Sequence, residues 1–407
     1  MVMSEIPLAL YVHLPWCVRK CPYCDFNSHA VESQGVPAEA YVEALLRDLE
    51  TDAPLAHGRA VRSIFIGGGT PSLFPACAIA RLLEGVRGRV DLALDAEITL
   101  EANPGTVDEA NFHGYRAAGV NRLSLGVQSL RAASLAALGR IHGVGDVARA
   151  VAAARAAGFS NLNLDLMHGL PGDLAGDALA DLAAALAFEP EHLSWYELTL
   201  EEGTPFARRP PVLPDEDVVA VDFEQGLEVL AGAGFRHYEV SAHARAGYAC
   251  RHNLNYWQFG DYLGIGAGAH GKLTTPHGVF RSVRRRHPVA YMKAAGLPDA
   301  REIGQVEPDA LTGEFMLNAL RLREGFEWSL FESRTGLPRA VLESPVAQGV
   351  QRGWLEDDGA RLRPTPTGYR FLNDLQILFL DLPTRAAPHQ RPARDIAIPR
   401  AQSQPWP

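Results

Sequence analysis

Between residue 7 and about residue 200, short β-rich runs alternate with longer Ala/Leu-rich helical runs, and no other feature restricts the fold of this chain as much. The candidate strands are 8–13, 63–66, 97–101, 122–126, 161–167 and 193–198, with helical patterns between them at, for example, 39–50, 78–86 and 147–157. Strand starts lie roughly 25 to 55 residues apart, about the length a βαβ unit requires. Several strands are apolar on both faces, as buried parallel strands are. Six units rather than eight predict an α/β fold, a partial (β/α)6 barrel with an open side and its function at the C-terminal strand ends. The chain supports that placement. Each strand runs directly into polar or Gly-rich residues at 15–24, 67–71, 101–104, Gln128 and 168–171, which puts the chemistry on one rim.

Beyond the repeat, 215–232 reads as an amphipathic helix and 235–240 as a further strand, and a Gly/aromatic segment at 252–271 closes the region. From about residue 308 the texture changes. Helices are expected at 311–322 and 338–348, and Trp354 to Thr365 reads as two strands around an Asp-Gly turn. Helix, helix and hairpin predict a small C-terminal winged-helix-like α+β domain. The last 24 residues hold five prolines and a net charge of 4 − 1 = +3, a composition expected of a disordered tail. The expected division is 1–240 for the partial barrel, 241–307 for a connecting segment, 308–383 for the winged-helix-like domain and 384–407 for the tail.

With 407 residues, 47% apolar and 21% charged, the chain has the composition of a soluble globular protein, which argues against wholesale disorder and fibrous repeats. Its formal charge of −10 makes it a poor general phosphate binder, and no nucleic-acid partner is expected. Lysine occurs only at 20, 272 and 293, so arginine supplies 38 − 3 = 35 of the cations. The local run Arg281, Arg284, Arg285, Arg286 reads as a solvated basic face, with ligand propionates or anionic lipid heads as the alternative. No apolar run is long enough to span a bilayer. The start lacks a cationic region followed by an apolar one and a small-residue cleavage site. A cytoplasmic protein is expected.

Three of the five cysteines, Cys17, Cys21 and Cys24, fall within eight residues. A secreted disulfide framework spreads cysteines in pairs, so this trio calls for a different chemistry. Three thiolates on a short loop can hold three corners of an iron–sulfur cubane and leave one iron without a protein ligand. Spacing alone also suits a structural zinc with His29 as fourth ligand. Cys77 and Cys250 have no assignment.

The run Tyr11-Val-His-Leu-Pro-Trp-Cys17-Val-Arg-Lys-Cys21-Pro-Tyr-Cys24 resembles the signature of the radical S-adenosylmethionine (SAM) superfamily. Within it, the chain is similar to the branch that contains oxygen-independent coproporphyrinogen III oxidases and HemW haem chaperones. The resemblance covers most of the chain. It implies a [4Fe-4S] cluster whose open iron is chelated by SAM, and reductive cleavage of the sulfonium to methionine and a 5′-deoxyadenosyl radical. It further implies that Tyr11 and Tyr23 flank cluster and cofactor, and that Gly68, Gly69 and Thr70 present backbone groups to the methionyl ammonium, where glycine permits close approach. Glu101, Gln128 and Asp165 would meet the amine and ribose hydroxyls, and Arg140 the methionyl carboxylate. Read singly, each has a bland alternative as a turn, capping or solvated residue. Gathered at one rim after a CxxxCxxC loop, they favour the cofactor reading.

The oxidases of the branch typically carry a fourth cysteine two residues after the third and a longer extension before the cluster. Here Phe26 stands at that position and 16 residues precede Cys17, so Cys24-Asp-Phe-Asn-Ser-His29 looks like the chaperone form. His252-Asn253-Leu-Asn-Tyr256-Trp257 resembles the HNxxYW motif associated with haem in that family, which implies haem b at His252 beside aromatic rings. His270 is a further candidate. The expected function is therefore a haem carrier rather than a coproporphyrinogen oxidase, which is the alternative. Its implied partners are haem, haem-dependent apoproteins such as respiratory enzymes, and an electron donor for the cluster. Peripheral association with the inner membrane and a homodimer stay open.

Overall fold

The computed structural model of the protein describes residues 6–106 and 109–380. Its central strands are β1 (Leu8–Leu14), β2 (Val61–Gly68), β3 (Leu92–Ala102), β4 (Arg122–Gln128), β5 (Leu162–His168) and β6 (His192–Glu197), each parallel to the next. They are the six runs expected from sequence, with β3 starting earlier. Helices α1 (Ala38–Asp52), α2 (Ala76–Arg87), α3 (Glu109–Ala118), α4 (Val144–Ala156) and α5 (Asp177–Leu186) lie between them in the chain. On α1 the apolar residues Tyr41, Val42, Leu45 and Leu49 recur at helical spacing and share one core with Leu8, Leu10, Val12 and Leu14 of β1.

Because side chains alternate along a strand, the same strands turn Tyr11, His13, Phe65, Glu101 and Asp165 to the opposite face. That face is polar and internally bonded. Asn163 donates to Ser124 and to Asp165 at 2.7 Å each, and His192 Nδ1 lies 2.6 Å from Asn163 Oδ1.

The sheet is wider than the repeat. After α6 (Glu216–Gly232) come β7 (Arg236–Glu239), β8 (Ala242–Ala244), α7 (Arg251–Trp257), β9 (Asp261–Ile265), β10 (His270–Thr275), β11 (Gly278–Arg284) and β12 (Arg301–Gln305). The full order is β12-β11-β10-β9-β1-β2-β3-β4-β5-β6-β8-β7, and its two edge strands do not pair, so the barrel stays open. Strand β9 runs parallel to β1, whereas β10, β11 and β12 follow in antiparallel steps. The segment 241–307, set apart by sequence, thus contributes strands to the same sheet. A buried charge cluster ties β9 in place: Asp261 pairs with Arg59 at 2.7 Å and with Lys272 at 3.0 Å. Burial of such charges is tolerated only when they are paired.

The C-terminal region holds α8 (Pro308–Ala319), β13 (Phe326–Glu327), α9 (Trp328–Thr335), α10 (Glu343–Gln351), β14 (Leu355–Asp357) and β15 (Arg361–Pro364). The expected hairpin of β14 and β15 gains β13 as a third strand. Phe315, Phe326, Phe331 and Leu362 form its core, and Phe259, in the turn before β9, and Val279 of β11 belong to the same cluster, which joins the two regions. The tail 384–407 lies outside the described residues. Among those residues no helix is long and apolar enough to cross a membrane.

Candidate functional site

The cysteine loop leaves the C-terminal end of β1 and is pinned at its base. Trp16–Cys17 pairs with His29–Ala30, and Val31 N donates to Cys17 O at 2.8 Å. All three thiols are partly exposed. Thr70 Oγ1 donates to Cys17 Sγ at 3.5 Å and the Arg140 guanidinium to Cys21 Sγ at 3.6 Å. Burial pushes the Cys17 and Cys24 thiols up, and for Cys17 the Thr70 hydroxyl works against it. Donors aimed at sulfur favour the thiolate, the form that binds iron. The zinc alternative with His29 gains no support from the arrangement. His29 packs edge-on against His287 at 5.6 Å, and among the described residues no three metal-ligating side chains converge on one ion. A cubane instead takes one thiolate at each of three irons, so the donor set fits it.

The turn after β2 packs on this loop. Gly69 N donates to Leu14 O at 2.8 Å and Thr70 N to Trp16 O at 2.7 Å, and a Cβ at Gly69 would sit 2.5 Å from Trp16 O. Gly68 has φ +114, and a Cβ there would meet the His13 ring at 2.5 Å. Its N–H donates to Glu101 Oε2 at 3.0 Å. The N–H groups of 68–70 are engaged within the chain, so what this turn can offer an ammonium is carbonyl oxygen, with the Glu101 carboxylate beside it.

Glu101 is the electrostatic centre of the rim. Burial, then the neighbouring Asp165 charge, push its pKa up to about 8 against the Gly68 hydrogen bond. Asp165 is raised by burial as well. Among the described residues Glu101 has no ion pair, so a cationic ligand would relieve both carboxylates. Gln128 adopts φ +71, a conformation that costs a non-glycine residue on the order of 1 kcal/mol, and its Oε1 accepts from Tyr196 OH at 2.7 Å. Arg140 donates to Gly126 O at 2.7 Å while its Nε is buried without an acceptor, an orphaned donor suited to a carboxylate. Tyr23 lies beside Arg140 and Cys21, and burial raises its hydroxyl strongly. These features suit the charges of SAM: a carboxylate near Arg140, and an ammonium and sulfonium near Glu101 and Asp165.

Tyr11, Gly68 and Glu101 also line an open cavity of about 500 Å³, together with Phe26, Tyr256, Tyr262, His270 and Arg286. His252 does not line it. That ring is 1% exposed, with Nδ1 3.2 Å from Ser63 Oγ and Nε2 3.0 Å from the hydroxyl of Tyr256, and it stacks on Phe65 at 5.2 Å. Burial alone lowers its pKa to about 3. The whole HNxxYW segment is helix α7, whose first N–H groups are capped from another strand. Glu97 Oε1 accepts from Arg251 N at 2.9 Å and from His252 N at 3.4 Å. Trp257 carries Arg321 over its ring at 4.2 Å.

Two residues that sequence reading passed over hold the site together. His13 is clamped between Tyr11 OH at 2.9 Å and Asn27 O at 2.8 Å. Asn27 Nδ2 donates to Ala267 O and Arg286 O, both at 2.8 Å. The signal was the Gly264–His270 run: a Cβ at Gly266 would lie 2.3 Å from His13 O, and one at Gly268 2.5 Å from Asn27 Nδ2. The basic run is mostly structural rather than a solvated face. Arg281 pairs with Glu314 at 2.6 Å, Arg284 is buried against Asp48 at 2.9 Å, and Arg285 meets Asp299 at 2.6 Å.

A three-cysteine loop at the rim of an open, mainly parallel α/β sheet defines a radical SAM protein. The family model for the radical SAM superfamily matches residues 11–183, and that for the HemN C-terminal domain residues 306–371. The chain is 50% identical over 375 residues to "Heme chaperone HemW" of Escherichia coli, covering 92% of this chain and 98% of that protein. It is 46% identical over 379 residues to the protein of the same name in Haemophilus influenzae, again covering 92% and 98%. The chain belongs to the HemW family. Its fold matches that of E. coli coproporphyrinogen III oxidase (HemN), with a TM-score of 0.78 at 23% identity over 92% of this chain and 90% of that one. Radical SAM membership implies a [4Fe-4S] cluster and SAM.

Proposed function

We propose that this protein is a haem chaperone: it holds a [4Fe-4S] cluster on Cys17, Cys21 and Cys24, SAM against Glu101, Asp165, Gln128 and Arg140, and haem b as cargo for apoproteins. The observation that carries this reading is the 50% identity to a heme chaperone along nearly its whole length, against 23% to the oxidase that shares the fold. Two features support it: the exposed Phe26 ring at the position of the oxidase-type fourth cysteine, and an aromatic-lined cavity in the size range of small-molecule sites. When bound, the cluster supplies an electron for the sulfonium. The chain itself holds the thiolates under Thr70 and Arg140, keeps a carboxylate free for a cation, and shields the interior with Tyr11 and Tyr256. We place the protein in the cytoplasm, with haem-dependent, including respiratory, apoproteins as recipients, an electron donor for the cluster, and peripheral contact with the inner membrane.

The test is anaerobic. Reconstituted protein should take up haem close to one per chain, pass it to an apoprotein, and leave coproporphyrinogen III unchanged in the presence of SAM and reductant. Sustained conversion of the porphyrinogen would overturn the reading in favour of the oxidase.

A further inference from the structure

Two histidines line the cavity, His13 and His270, and His252 lies next to it. A histidine can bind iron only through a ring nitrogen with a free lone pair and room for the metal. His13 has both nitrogens engaged, by Tyr11 and Asn27, and is 5% exposed. His252 has both engaged, by Ser63 and Tyr256, and is 1% exposed. His270 differs from both. It opens β10 at the cavity mouth, is exposed, and among the described residues its ring makes no hydrogen bond. Partial burial, then the nearby charges of Arg281 and Arg286, lower its pKa and so favour the neutral form, in which one ring nitrogen keeps a lone pair.

The surroundings of His270 match the rest of a haem. Phe26, 62% exposed, stands at the mouth with Tyr11, Tyr256 and Tyr262 deeper in, so an apolar macrocycle would find ring faces. Arg286 is the member of the basic run that makes no ion pair among the described residues, and it lines the same opening. Its neighbours Arg281, Arg284 and Arg285 are all paired. A free guanidinium beside an apolar mouth suits a carboxylate carried by a flat hydrophobic ligand.

We infer that haem docks at the mouth of this cavity, outside the Glu101 end that takes SAM, with its iron on His270, its ring against Phe26 and a propionate at Arg286, while His252 braces Tyr256. The inference rests on the chaperone reading and names the residues that would execute it. The ligand exchange is simple: a neutral imidazole nitrogen replaces a weak ligand on ferric iron, with no change of oxidation state.

Haemin titration of the cluster-loaded protein, followed by Soret absorbance and electron paramagnetic resonance, tests it with His270→Ala, His252→Ala and Arg286→Ala. Wild-type protein should show an imidazole-ligated spectrum. His270→Ala should lose that signature and bind at least about tenfold more weakly, and free imidazole should restore the spectrum on haem that stays with the protein through gel filtration, which a misfolded variant would not retain. Arg286→Ala should weaken binding about threefold or more without moving the Soret band. A His270→Ala protein with wild-type spectrum and affinity would overturn this assignment and leave the chaperone reading standing. Wild-type protein that takes up no haemin would overturn both. Loss of the spectrum in His252→Ala with His270→Ala unaffected would return the iron to the HNxxYW helix.

Discussion

Asn27 joins the cysteine loop to Arg286: its side-chain amide donates to the Arg286 carbonyl across 2.8 Å, 259 residues away in sequence. The same amide reaches Ala267 O. The loop that carries the thiols is thereby hydrogen-bonded to the β9–β10 turn just ahead of His270 and to the end of β11.

Asn27→Ala removes both bonds, one at a partly buried carbonyl and one at an exposed carbonyl that water can reach, a cost of about 1 kcal/mol in chain stability. Urea unfolding of the metal-free protein should show that loss. Oxygen exposure should also bleach the cluster absorbance of the variant faster than that of wild type.

Gly69→Ala forces a Cβ to within 2.5 Å of the Trp16 carbonyl, a backbone atom that cannot swing away. The cysteine loop must shift, so iron and sulfide bound after reconstitution should fall well below wild type. Gly304→Ala is the control, since nothing lies within 4 Å of a Cβ there, and its iron content should be unchanged.

Glu101 gives the cofactor-free protein a pH dependence. Its folded pKa of about 8 lies above the ordinary value of 4.5, so between those values the folded state holds a proton that the unfolded chain has lost. Its contribution is complete below about pH 4.5, declines as pH rises, and is gone once pH has passed through about 8. Glu101→Gln should flatten this decline by a few kcal/mol between pH 5 and 8.5, read from urea midpoints. SAM binding to wild type at pH 7 should release a proton, seen in calorimetry as a dependence on buffer ionisation heat; Glu101→Gln should abolish it.

Arg140→Met deletes the donor to Cys21 Sγ and the orphaned Nε together. SAM affinity should fall about tenfold or more, as expected for a lost charge-assisted contact, with iron content largely kept. Arg140→Lys should recover only part, since an ammonium cannot reproduce the planar fork. Equilibrium dialysis with labelled SAM distinguishes the three proteins.

The six parallel strands were legible because each is a short apolar run bounded by turn residues, and the cysteine loop because its spacing is local. Strand β9 was not. Asp261-Tyr-Leu-Gly-Ile265 is short and glycine-bearing, and it becomes a strand by pairing with β1, about 250 residues earlier, over a buried Asp261–Lys272–Arg59 cluster. The basic run misled in the same way, because its ion partners Asp48, Asp299 and Glu314 all lie outside it, Asp48 on the distant helix α1.

Sequence alone determined the class of fold, the rim on which function sits and the sulfur ligands, since these follow from periodicity and from residues close together in the chain. Only the tertiary structure decided which imidazole is open and which is enclosed, which arginine is free, and which glycines are demanded by close packing. Burial and hydrogen-bond partnership are sums over neighbours brought from distant segments, and no local pattern around His252 or His270 records them.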